Sequence, residues 1–212
     1  MSLTRDLPLD PARSALLFID VQNFCATREG GEFAGLSAAA FEDRYGWFFA
    51  EFEGRVLPNM RAIQRAARGA GVEVLYTTIE SLTKDGRDRS LDYKITGFNV
   101  PRGAWDAQVI DALAPGADEI RIPKTSSSVF VSTNIDYVLR NLGVRQLAIS
   151  GLITDQCVES AVRDACDLGY LVTLVTDACL TYAPERQAAS LAAIRGYCRQ
   201  ITAAALIAEL GG

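Results

Sequence analysis

Six short apolar, β-favouring runs alternate with amphipathic helical patterns along the chain, and that alternation restricts the fold more than any other feature. The runs are Ala15 to Ile19, Val72 to Thr77, Glu119 to Ile122, Val144 to Ser150, Tyr170 to Thr176 and Cys198 to Thr202. Between them, Val56, Met60, Ile63 and Ala67 recur at helical spacing within Val56 to Arg68, and Trp105 to Leu113, Asn134 to Leu142, Cys157 to Leu168 and Pro184 to Arg195 show the same periodicity. Parallel strands need crossover connections, and right-handed crossovers cover both sheet faces. The expected architecture is a three-layer α/β/α domain over 1–212, with six parallel strands in the order 3-2-1-4-5-6 and a last helix at Ala203 to Leu210. Met1-Ser2-Leu3 receives no structural weight.

Two stretches break the repeat: 23–54, rich in Phe, Glu and Gly, and 78–102, polar with Gly86, Gly97 and Pro101. Both follow the carboxyl end of a strand, where open α/β sheets bind ligands, so each is a candidate pocket wall, lid or subunit interface. Phe48, Phe49 and Phe52 suit either an interface patch or a core.

Charge narrows the partners. A net charge of −5 argues against binding a phosphate backbone, which requires clustered Lys and Arg, and favours a small-molecule ligand. The longest apolar run, near Ile201 to Ala208, is far shorter than a bilayer span, and Met1 to Pro11 carries acids and prolines where a signal peptide needs an apolar stretch. The expectation is a soluble, cytoplasmic protein without a membrane partner. Five cysteines (25, 157, 166, 179 and 198) without close-pair metal spacing fit reduced thiols.

The chain contains no histidine, which removes the commonest general base and leaves proton transfer to Asp, Glu or Lys. Cys157 lies in Ser150-Gly-Leu-Ile-Thr-Asp-Gln-Cys-Val158, a strand, a glycine turn and a helix start. A cysteine in a first helical turn sees unpaired N–H groups and the positive end of the helix dipole, both of which favour a thiolate. Burial as a small hydrophobe is the alternative reading, and it suits Cys166 and Cys198. Cys25 is the second-choice nucleophile. Asp20 ends the first strand in Phe18-Ile-Asp-Val-Gln22, at the ligand-binding edge, and strands 1 and 4 meet at the switch point, which brings it near Cys157. Lys124, one of three lysines beside eighteen arginines, follows the third strand, where Pro123 is expected to stop the ladder. Strand 3 is not next to strand 4, so the segment after Lys124 must bend inward.

Together, Phe18-Ile-Asp-Val-Gln-Asn23, Pro123-Lys-Thr-Ser-Ser-Ser-Val-Phe130 and Gly151-Leu-Ile-Thr-Asp-Gln-Cys-Val158 resemble the isochorismatase-like cysteine hydrolases over nearly the whole chain. The resemblance implies a catalytic Asp20, Lys124 and Cys157, a cis peptide at Leu152-Ile153, and an oxyanion hole from the backbone N–H groups of Ile153 and Cys157. It implies attack by the thiolate on an amide or ureido carbonyl through a thioester, with no cofactor. Relatives that use a metal place an aspartate and histidines after the second strand; Tyr76-Thr-Thr-Ile-Glu-Ser-Leu82 offers no histidine, so no metal is expected. Vinyl-ether hydrolysis and a non-catalytic ligand-binding relative are the alternatives. Asn23, Phe24, Glu80, Arg87, Tyr93, Gln156 and Tyr182 lie in segments expected to rim the pocket, with Arg87 suited to a substrate carboxylate. Family members form dimers or tetramers, so a homo-oligomer is expected.

Overall fold

The computed structural model describes residues 4–211, so Met1–Leu3 and the last residue of the expected 1–212 domain lie outside the description. Strands β1 (Ser14–Ile19), β2 (Glu73–Ile79), β3 (Ile120–Lys124), β4 (Gln146–Leu152), β5 (Leu171–Leu180) and β6 (Arg199–Ile201) form one sheet in the order β3-β2-β1-β4-β5-β6. Every pairing is parallel. The apolar runs therefore carry the order expected of them, because strands covered on both faces have no polar alternation to display.

β1 shows how the two faces are filled. Leu16 and Phe18 enter a core shared with Phe48, Phe49, Phe52, Met60 and Ile63, whereas Ala15, Leu17 and Ile19 enter a second core with Ile135, Leu139, Val158 and Val162. The first layer is built by α2 (Ala38–Glu51), α3 (Leu57–Gly69) and α9 (Ala203–Glu209). The second is built by α5 (Val129–Ser132), α6 (Ile135–Asn141), α7 (Glu159–Asp167) and α8 (Pro184–Ile194). Phe48, Phe49 and Phe52 are at most 1% exposed, which settles their role as core residues and removes them as an interface patch. No helix among the described residues is long and apolar enough to cross a membrane.

Three local expectations change. Trp105 to Leu113 is not one helix but two 3-10 turns, Trp105–Ala107 and Asp111–Leu113, separated by three extended residues of which Val109 bridges Gln22. The backbone of Gln108 accepts from Asn23 N–H and Ile110 N–H donates to Val21, so bonds to the loop after β1 displace the helical ones. Pro123 does not end the third strand. The ladder continues to Lys124, paired with Ile79, because β3 is an edge strand and can spare one donor. The stretch 23–54 holds a short α1 (Asn23–Ala26) and all of α2, so much of it is scaffold.

Candidate active site

Asp20, Lys124 and Cys157 meet above the carboxyl ends of β1, β3 and β4. Asp20 immediately follows β1 with φ of +51°, a left-handed conformation that few non-glycine residues adopt and that here turns the carboxylate back over the sheet edge. Its backbone N–H donates to Thr77 O at 3.1 Å, and its Oδ1 accepts from Thr77 Oγ1 at 3.1 Å. Lys124 bridges the gap left by strand order: its side chain passes over the end of β2, and Nζ reaches Asp20 Oδ2 at 2.8 Å and Cys157 Sγ at 3.3 Å. The chain after β3 does bend inward, since Ser126 O accepts from the same Nζ at 3.0 Å. Tyr93, on α4 (Leu91–Thr96), places its hydroxyl 3.3 Å from Lys124 Nζ and 3.8 Å from Cys157 Sγ.

Cys157 lies in a five-residue π turn, Thr154–Val158, that opens α7. The peptide Leu152-Ile153 before it is cis. One residue earlier, Gly151 pairs with Ile19 of β1 so closely that a Cβ there would stand 2.2 Å from Ile19 O, and its φ is +146°. Only glycine fits both demands.

The electrostatics differ from the expectation of a preformed thiolate. Burial pushes the Cys157 thiol up to about 12, with Lys124 pulling it down and Asp20 pushing it further up. Burial also works against the Lys124 ammonium, but Asp20, Cys157 and Tyr93 outweigh it and hold the lysine well above its ordinary value. Both shifts favour a thiol beside an ammonium at neutral pH. A thiolate formed by loss of the proton to solvent would put two anions beside one cation in a buried space; passing the proton to Asp20 leaves the net charge unchanged. Asp20 is placed to receive it, because its carboxylate is ion-paired with Lys124 at 2.8 Å and hydrogen-bonded to the Cys157 thiol.

Asp20 and Cys157 line a narrow cavity of about 20 Å³ with Cys25, Glu32, Ile79, Tyr93, Phe98, Leu152, Ile153 and Gln156. Of the expected rim residues, Tyr93 and Gln156 reach it. Arg87 does not: it is exposed and paired with Asp85 at 3.0 Å within its own loop, where solvent supplies what a buried partner would have to. Glu80 turns toward Arg121 at 2.7 Å and accepts from Gly103 N–H at 2.8 Å, on a separate groove. Asn23 is a brace whose amide donates to Trp105 O at 3.0 Å, and Phe24 packs edge-on against Phe98 inside the core. Tyr182 packs on Tyr45 and Phe48, with its hydroxyl toward Glu32. Cys25 donates its thiol to Asp20 O at 3.2 Å, and burial raises that thiol well above its ordinary value.

Glu32 and Phe98 escaped the sequence reading. Glu32 follows Gly30-Gly31, and a Cβ at Gly30 would lie 2.2 Å from Phe24 O, so the glycine pair folds the loop back against α1 and carries the glutamate to the cavity. That pair was the available signal. Burial lifts the Glu32 carboxyl from 4.5 to about 7, opposed by the Tyr182 hydroxyl. Among the described residues no group of three or more His, Cys, Asp and Glu is placed to hold a metal ion.

The isochorismatase domain model matches residues 14–205. Ureidoacrylate amidohydrolase RutB of Rhizobium rhizogenes is 32% identical over 195 residues, covering 84% of this chain and 75% of the relative. The RutB protein of Caulobacter vibrioides is 30% identical over 195 residues, covering 84% and 82%. Among solved structures, a cysteine hydrolase from Pseudomonas syringae pv. phaseolicola superposes with a TM-score of 0.80 at 25% identity, covering 97% of this chain and 95% of that one. N-carbamoylsarcosine amidase from Thermoplasma acidophilum shares the fold, with a TM-score of 0.67 at 23% identity and coverage of 90% and 96%. With a domain match across most of its length, a six-stranded sheet in the family's order and Asp20, Lys124 and Cys157 gathered at its edge, the chain belongs to the isochorismatase family.

Proposed function

We propose that the protein is a cysteine amidohydrolase that cleaves a C–N bond of a small ureido, carbamoyl or amide compound without a metal. The observation that carries this reading is the convergence of a sulfur and a carboxylate within 3.3 Å of one ammonium nitrogen. The names of the RutB relatives support the ureido class.

In the proposed cycle the Cys157 proton passes to Asp20 as sulfur attacks the carbonyl carbon. Lys124 stays protonated throughout and compensates whichever neighbour is negative. The backbone N–H groups of Ile153 and Cys157 receive the oxyanion; a donor so placed contributes about 3 kcal/mol to the transition state. Collapse breaks the C–N bond, and the leaving nitrogen takes the proton from Asp20. Water then gives a proton to Asp20 as its oxygen attacks the thioester carbon. The departing sulfur recovers that proton, and the site returns to its starting charges. The left-handed turn at Asp20 and its bond from Thr77 hold the carboxylate for both transfers.

The test is ammonia release from ureidoacrylate and related ureides by the wild type and Cys157→Ala, with mass spectrometry of the quenched protein. Loss of turnover in the variant and an acyl adduct on Cys157 are expected. Undiminished ammonia release by Cys157→Ala would refute the reading.

A further inference from the structure

We propose that Glu32 selects the substrate, accepting hydrogen bonds from N–H groups of a neutral or cationic amide or urea and turning away compounds that carry a carboxylate close to the scissile bond. The inference rests on the amidohydrolase reading and names the charge class that the same cavity takes.

Two carboxylates, Asp20 and Glu32, line the cavity, and Lys124 behind the wall cancels the first. Asp20 and Lys124 form an ion pair at 2.8 Å. The ammonium has nothing left for a ligand, since Ser126 O, the Tyr93 hydroxyl and Cys157 Sγ lie at 3.0, 3.3 and 3.3 Å from it. Glu32 is the other carboxylate, and among the described residues it forms no ion pair. The neighbouring cation, Arg186, is 5.8 Å above the Tyr182 ring and committed to Asp155 at 2.6 Å.

The groups facing Glu32 are the hydroxyls of Tyr182 and Tyr45 and the thiol of Cys25, all of which burial keeps protonated. The Tyr182 hydroxyl oxygen is buried without a well-directed hydrogen-bond partner. Glu32 thus lines the cavity with the Tyr182 hydroxyl behind it, outside the lining, and no other side chain of the described residues is bonded to either group. A ligand N–H or ammonium bonds to Glu32 and holds it charged. A ligand carboxylate meets a like charge and binds only when Glu32 carries a proton, so its binding weakens as pH rises through about 7.

Three ureides of matched size separate the classes: ureidoacrylate, its primary amide and 2-aminoethylurea. Ammonia release is measured at pH 6 and pH 8 with the wild type, Glu32→Gln and Glu32→Asp. Binding of the same three is measured by calorimetry on Cys157→Ser, with and without Glu32→Gln. At pH 8 the wild type is expected to favour the amide and the aminoethyl compound over ureidoacrylate by about tenfold or more, and Glu32→Gln to compress that ratio to about threefold. Glu32→Asp keeps the order, which a purely structural glutamate would not require. Preference of the wild type for ureidoacrylate, or an unchanged ratio in Glu32→Gln, overturns the inference. The calorimetric order tests it when nothing turns over, a result that would count against the hydrolase reading alone; failure of all three ureides to bind would overturn the selection by Glu32.

Discussion

Replacing Lys124 by Met isolates the energetics of the buried pair, because the methionine keeps most of the side-chain volume and removes only the charge. Lys124 is fully buried and Asp20 is 1% exposed, so neither charge leans on solvent. At the observed 2.8 Å the attraction is about 6 kcal/mol for an effective dielectric constant of ~20. Desolvation costs several kcal/mol per ion, so the intact pair nets close to zero against an apolar replacement. Removing one partner is different, since Asp20 is left buried and uncompensated, with Thr77 as its remaining side-chain donor. Lys124→Met is therefore expected to lose about 3–5 kcal/mol, and Asp20→Asn/Lys124→Met to recover most of it. Urea unfolding followed by the fluorescence of Trp47 and Trp105 measures both, and neither variant should release ammonia. A loss below about 1 kcal/mol in the single variant, or a double variant equal to the sum of the singles, would refute the account of a pair whose charges cancel.

Four further outcomes follow from the geometry. Gly151→Ala should lose about 3 kcal/mol or more, read as a melting temperature roughly 10 °C lower, because a Cβ would meet Ile19 O in a backbone conformation of φ +146°. Tyr93→Phe removes a hydroxyl that helps to lower the Cys157 thiol, so kcat should fall about tenfold with the pH profile displaced upward, which ammonia release across pH would show. Alkylation of Cys157 by iodoacetamide should be slow at neutral pH and accelerate through pH 10, given a thiol near 12; rapid labelling at pH 7 would contradict the buried resting thiol. Glu32 binds its proton more tightly in the folded chain, so its contribution is fully present below about 4.5 and is lost as pH rises through about 7. Because the side chain is partly exposed, the loss is at most ~3 kcal/mol, and chemical denaturation from pH 4 to 8 should show it smaller in Glu32→Gln.

Strand order and the residues at the strand ends were legible in the linear chain for a definite reason. A sheet covered on both faces needs continuous apolar runs, and an acid after Ile19 or a glycine before Leu152 marks where such a run meets the ligand edge. Arg87 shows the limit of that reading. Its loop follows β2 as expected, yet the nearer Asp85 captured it, and sequence position cannot rank a local partner against a distant pocket. Trp105 to Leu113 fails for a similar reason: its periodicity is helical, but bonds with Val21 and Asn23, over eighty residues away, hold its middle extended between two 3-10 turns.

Local pattern thus determined the layers of this protein, the histidine-free chemistry open to it and the identity of its sulfur, acid and amine. Tertiary structure alone decided the charge state of that sulfur, the passage of Lys124 over β2, and the arrival of Glu32 at the cavity. Periodicity and turn chemistry act over a few residues and are written in order along the chain. Desolvation and Coulomb interactions act through space, and their strength exists only once distant segments have excluded water from one another.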